Sequence, residues 1–123
     1  MDITYGDTVA PGGIQYALVI VDCKTRYKFV LPLRDCKSNA IITSLQKLKT
    51  MTGKLPQILY MDFDPKLLSK STSNCYNAND GIILAAPPEQ HHQNCLVKRT
   101  WQTLSKMAHA FITDKQMPKS FWH

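Results

Sequence analysis

Residues 14–21 (IQYALVIV) are apolar on both alternating faces, with Tyr16, Leu18 and Ile20 on one and Ala17, Val19 and Val21 on the other. A strand reads this way when both faces of its sheet are covered, so the segment is expected to be a central strand. Asp2–Tyr5 precedes it as a short strand across a Pro11-Gly12-Gly13 turn, and Lys24-Thr25-Arg26 turns into a third strand over Tyr27–Leu33. The first third of the chain thus predicts a three-stranded antiparallel meander.

From Ser38 the apolar period changes from two to that of a helix. Ile41, Leu45 and Leu48, flanked by Ile42 and Met51, follow a capping Ser38 and stop at Gly53 and Pro56. A short apolar strand, Gln57–Met61, comes next, and a strand–helix–strand sequence favours a right-handed crossover. The expected architecture is therefore α/β, a mixed five-stranded sheet in which an antiparallel meander is followed by parallel strands, flanked by helices. Asp64 and Pro65 open a short helix through Leu68, a polar loop fills Ser69–Asp80, and Ile82–Ala86 forms the last strand. After a proline-led loop at 87–94 (PPEQHHQN), Asn94 can cap the longest helix. Its stripe of Val97, Trp101, Leu104, Ala108 and Phe111 is assigned to the core, and Lys98, Gln102, Ser105 and His109 form its polar face. Trp101 and Trp122 are read as core rather than as base-stacking groups.

The chain's 123 residues, 44% of them hydrophobic, suit a single domain over 1–123 and exclude a two-domain enzyme. Fifteen Lys and Arg against nine Asp and Glu give a net charge of +6, which tilts the partner question towards polyanions. No apolar run reaches the roughly 20 residues that cross a bilayer, and residues 1–12 lack a signal-peptide pattern, so an intracellular protein without a membrane partner is expected. Cys23, Cys36, Cys75 and Cys95 contain no CxxC pair and read as free thiols. His91, His92 and Cys95 fall one ligand short of a zinc site and are assigned to a polar loop entering a helix.

Asp2 lies on the first strand and Asp62 at the end of a later one. If those strands are neighbours, the two carboxylates can share a divalent cation such as Mg²⁺, against the plainer reading of an Asp at a strand end as a cap or turn residue.

The order of Asp2, "YALVIVDCKTRYKFVLPL", "ILYMDFDPKLL", "APPEQHHQN" and "WQTLSKMAHAFITDKQMPKSFW" resembles the integrase catalytic core of copia-type LTR retrotransposons and retroviruses over nearly the whole chain. The most specific parts are the VDxxTRY turn (Val21, Asp22, Thr25, Arg26, Tyr27) and the series Gln93-Asn94, Arg99, Thr103-Leu104, Met107-Ala108, Pro118 and Phe121-Trp122. The resemblance implies a ribonuclease H-like fold and a metal-dependent polynucleotidyl transferase whose Asp, Asp, Glu triad holds two Mg²⁺ or Mn²⁺ ions. Its first two members map onto Asp2 and Asp62. The third position, four residues after Asn94 and separated from Asp62 by 35 residues, is Lys98. The resemblance thus implies metal ligands at Asp2 and Asp62 and impaired ion binding.

Two further positions depart from the family's pattern: Cys95 stands where it has Gly, and Phe63-Asp64 where it often has Asn-Gly. Asp64 and Glu89 are the nearest substitute carboxylates. Glu to Lys and Gly to Cys each need one base change, which suits an element copy decaying without selection, and the domain is expected to be partial at both ends. The family's last helix lies near DNA, so Lys98, Arg99, Gln102 and Lys106 are the expected phosphate contacts. The implied partners are DNA and a second copy of the chain, in the nucleus. The leading reading is a degenerate, inactive integrase core that binds DNA; an active transferase and a co-opted binding or assembly module are the alternatives.

Overall fold

The computed structural model of the chain describes residues 1–62, 64, 65, 67–86 and 95–122. Strands β1 (Asp2–Ala10), β2 (Ile14–Val21) and β3 (Lys28–Leu33) form an antiparallel meander, followed by α1 (Ser38–Thr52), β4 (Ile58–Asp62), α2 (Lys70–Asn77), β5 (Ile82–Ala86) and α3 (Cys95–Asp114). A 3-10 turn at Lys119–Phe121 closes the described chain.

The double-sided apolar pattern of β2 is the centre of the packing. Leu18 and Ile20 join Leu31 and Leu33 of β3, Ile41, Leu45 and Leu48 of α1, and Leu59 and Met61 of β4 in the main core. On the opposite face, Val19 and Val21 pack with Val97 of α3, beside Leu96 and Trp101. Each such buried side chain stabilises the fold by about 1.5–3 kcal/mol relative to exposure. Trp101 and Trp122 meet edge to face at 6.2 Å, and the Trp122 indole N–H donates to the Thr8 carbonyl, holding the chain's last turn against β1.

The strand order is as expected, antiparallel first and parallel later, but the five strands form two ladders. β1, β2 and β3 make one, and β4 pairs with β5 in parallel in the other. A backbone bond from the Met1 amine to the Tyr60 carbonyl, 2.6 Å long, ties the start of β1 to β4.

Several local expectations change. β1 runs past Tyr5 to Ala10, with a register shift against β2 that lets Gly6–Val9 leave the ladder and rejoin it at Ala10. Lys37, not Ser38, occupies the N-cap of α1, and the Ser38 hydroxyl bonds Ser69 instead. Gly53 ends α1 at a φ of 80°, the left-handed conformation that favours glycine. The Asp64 carbonyl accepts from the Leu67 and Leu68 N–H groups, and no helix element is found among the described residues there. The expected polar loop instead contains α2, capped by the Ser69 hydroxyl accepting the Thr72 N–H. That helix forms because Thr72 and Tyr76 are fully buried and the Tyr76 hydroxyl donates to the Pro56 carbonyl. On α3 the buried positions are Val97, Thr100 and Ile112, while Phe111, next to the buried Ile112, is 64% exposed on the wall of an open cavity that it shares with Val30, Met117 and Phe121. Met51 is likewise exposed on the outer side of α1. The Asn94 cap and the roles of Phe63, Glu89, His91, His92 and Gln93 lie outside the described residues.

Candidate functional site

Asp2 is the first residue of β1, opposite Val19, and Asp62 is the last residue of β4, opposite Ala86. The Met1–Tyr60 bond brings these two strand positions together across the gap between the ladders. Lys98 stands in the first turn of α3, fixed by its neighbour Val97, which is buried against Val19 and Val21. Its Nζ lies 2.7 Å from Asp62 Oδ2. Asp62 Oδ1 is buried and has no hydrogen-bond partner among the described residues.

The electrostatics follow from this arrangement. The bond to Asp62 holds the Lys98 ammonium above its usual range, against the opposing effect of desolvation. Burial pushes the Asp2 carboxyl up, the charge of Asp62 pushes it further, and Lys98 pulls it back. Burial also lowers the Met1 amine. Beside the acidic pair, a cavity of about 250 Å³ is lined by Asp2, Thr4, Tyr5, Lys98, Trp101 and Gln102. Thr4 is on the same side of β1 as Asp2 by strand alternation, so its place was readable from sequence. The participation of the Met1 amine was not, because it depends on the approach of β4.

Of the residues singled out from sequence, Asp62 and Lys98 are in contact and Asp2 is close enough for its charge to act on both. Arg99, Gln102 and Lys106 are exposed and do not join the acidic cluster; with Lys98 they make one basic and polar strip along α3. No group of three or more His, Cys, Asp or Glu able to hold a metal ion occurs among the described residues. The described residues do not fit a two-ion centre: Asp2 and Asp62 offer two carboxylates, and the Lys98 ammonium is already paired with Asp62 Oδ2. None of the four cysteines is in a disulfide, and no described helix is long and apolar enough to cross a membrane.

No protein-family sequence model matches the chain, and no curated protein matches it in sequence. Solved structures do. The chain is similar to a chain of the simian T-cell lymphotropic virus intasome in complex with PP2A regulatory subunit B56 gamma, with a TM-score of 0.81 and 19% identity, over 98% of this chain and 45% of that one. It is similar to the HTLV-2 integrase catalytic core domain in complex with magnesium, in a trimeric form, with a TM-score of 0.74 and 16% identity over 98% and 75% of the two chains. The catalytic core domain of BIV integrase matches with a TM-score of 0.72 and 14% identity over 93% and 70%. The chain spans less than half the length of the intasome chain. It has the ribonuclease H-like fold of a retroviral integrase catalytic core.

Proposed function

We propose that this chain is an integrase-core-like domain of retroelement origin that does not transfer DNA strands and instead attaches to DNA through the exposed strip of α3. The observation that carries the reading is the Lys98 ammonium 2.7 Å from Asp62 Oδ2. Two-ion catalysis uses cations about 4 Å apart to clamp the attacking and leaving oxygens, and each ion needs carboxylate ligands. An ammonium about 4 Å from one unit of metal charge is repelled by roughly 4 kcal/mol at an effective dielectric of 20, and a divalent ion by about twice that. Lys98 thus neutralises Asp62 in place of a metal, and its own side chain supplies no ligand.

Magnesium in the HTLV-2 core supports metal dependence among proteins of this fold. The net charge of +6 and the exposed Arg99, Gln102 and Lys106 support DNA as the partner. The trimeric form of the HTLV-2 core supports self-association, and a DNA-bound module belongs in the nucleus. The test is incubation of the purified chain with end-labelled duplex DNA and Mg²⁺ or Mn²⁺. Neither nicked nor joined product is expected. Metal-dependent turnover that disappears in Asp62→Asn would establish the active transferase instead.

A further inference from the structure

The turn between β2 and β3 carries a motif that the acidic site does not use. Residues 22–28 (DCKTRYK) are exposed at every position, and they set Lys24, Arg26 and Lys28 against the single Asp22 carboxylate. None of the three cations makes a salt bridge among the described residues. The turn is fastened from within. The Asp22 N–H donates to the Tyr27 carbonyl and the Arg26 N–H to the Asp22 carbonyl, both at 2.9 Å. The Asp22 carboxylate accepts from the Thr25 N–H (2.7 Å) and from the Thr25 hydroxyl, whose oxygen accepts in turn from the Tyr27 N–H (3.2 Å). The one acidic group is thus engaged with the turn's own donors, and the cations are left to solvent. Arg26 holds a φ of 63°, a left-handed conformation in which Gly carries no steric penalty, so a charged side chain stands where the backbone would accept Gly more readily.

Tyr27 adds an aromatic ring to these cations. The residue is 63% exposed, and its ring lies 4.9 Å from that of Phe29, tilted by 53°. Phe29 therefore supports the ring while most of the residue stays open to solvent. Cross-strand pairing gives the side that each group takes. Lys28 pairs with Val21, which packs on Val97, so Lys28 belongs to the α3 side of the sheet. Phe29 pairs with Ile20 of the main core, which puts Phe29 and the Tyr27 ring on the other side. The turn offers charge and an aromatic surface across a single edge of the sheet. Phosphates answer the cations and a base answers the ring. In a duplex the faces of the bases are covered by their neighbours, whereas an unpaired strand presents both groups together.

We propose that the β2–β3 turn is a second nucleic-acid contact, separate from the α3 strip, which takes an unpaired DNA strand by stacking a base on Tyr27 and holding the adjoining phosphates with Lys24, Arg26 and Lys28. The contact depends on neither the acidic site nor the α3 strip.

The test is fluorescence anisotropy with an end-labelled oligothymidylate of about 12 nucleotides, within the usual range of single-strand sites, and with a blunt duplex of mixed sequence. Tyr27→Leu keeps an apolar side chain and removes the ring, Tyr27→Phe keeps the ring, and thermal melts check that neither changes the fold. Tyr27→Leu is expected to weaken oligothymidylate binding at least about fivefold, with Tyr27→Phe close to the parent and duplex affinity nearly unchanged. Replacing Lys24 and Lys28 with Ala is expected to flatten the salt dependence of oligothymidylate binding by about 1.4, at ~0.7 for each phosphate on a single strand. The chain with Ala at Arg99 and Lys106 is expected to show the same loss on Tyr27→Leu, which separates this contact from the α3 strip. Equal affinity of the parent and Tyr27→Leu would overturn the proposal, as would an equal loss in Tyr27→Phe or a salt slope that ignores Lys24 and Lys28. A loss on the duplex as large as that on the single strand would overturn it too, since the turn would then belong to a duplex site.

Discussion

At the residue scale the informative contact is between Lys98 and Asp62, because it joins the position where the sequence resemblance leads one to expect a Glu to one where it leads one to expect an Asp. Replacing Lys98 with Glu and Cys95 with Gly returns a carboxylate to the start of α3 and backbone freedom to its entry. Titration calorimetry is expected to show measurable Mg²⁺ binding in the double variant above that of the parent chain; equal, negligible affinity in both would mean that Lys98 is not what disables the site. Asp2 gives a prediction in pH. Its carboxyl is raised mainly by burial, so the folded state holds this proton more tightly than the unfolded state does. The contribution to stability is then fully present below the unfolded value near 3.9 and is lost as pH rises through the higher folded value. Asp2→Asn removes that loss, and thermal melts are expected to show it more stable than the parent at pH 7, with the difference shrinking towards pH 3. A difference of opposite sign at pH 7 would mean that Lys98 and Met1 hold Asp2 more strongly than burial opposes it.

The elements differ in how far the sequence discloses them, and the reason is the range of the interactions that decide them. β2 was legible because every side chain from Ala17 to Val21 is apolar and both faces are covered. α1 was legible because Ile41, Leu45 and Leu48 carry a period that no strand shares. α2 was read as loop, since KSTSNCYN has little apolar character; what makes it a helix is the burial of Thr72 and Tyr76 against distant parts of the chain, with the Tyr76 hydroxyl anchored on the Pro56 carbonyl. Phe111 was assigned to the core by its spacing, but spacing does not report which positions of a stripe find a partner to cover them, and Phe111 stays exposed beside the buried Ile112. Asp62 and Asp2 were legible as a pair, whereas the ion pair on Asp62 required the position of α3. If α2 depends on tertiary support, its cap is a sensitive point. Ser69 accepts the Thr72 N–H and exchanges side-chain bonds with Ser38 and Thr72. Ser69→Ala is expected to destabilise the chain by about 1 kcal/mol in urea unfolding, the usual effect of losing a side-chain cap. A change below about 0.3 kcal/mol would place the stability of α2 in Tyr76 alone.

For the whole molecule the question is whether a charge of +6 is an organised DNA surface or only a solvated exterior. The fold arranges part of that charge, because α3 is anchored by Val97 and presents Arg99, Gln102 and Lys106 outward along one strip. Each neutralised phosphate contact on duplex DNA contributes about 0.9 to the slope of log affinity against log salt. If Arg99 and Lys106 each hold a phosphate, replacing both with Ala is expected to flatten the slope by about 1.8. Lys98 separates the surface reading from the site reading, since its ammonium is engaged by Asp62 and is only partly available to a phosphate. Lys98→Ala is therefore expected to change the slope by less than a full contact, whereas Lys98→Glu adds a negative charge beside Asp2 and Asp62 and weakens binding more than the alanine does. In Lys98→Glu alone, Mg²⁺ is expected to recover part of that loss, because a cation bound by the rebuilt carboxylates attracts the phosphate that they repel. Gel shifts at several salt concentrations, with EDTA or with Mg²⁺, measure all four quantities. Binding indifferent to salt and to every one of these substitutions would reduce the basic balance to surface solvation and leave the fold without DNA as its partner.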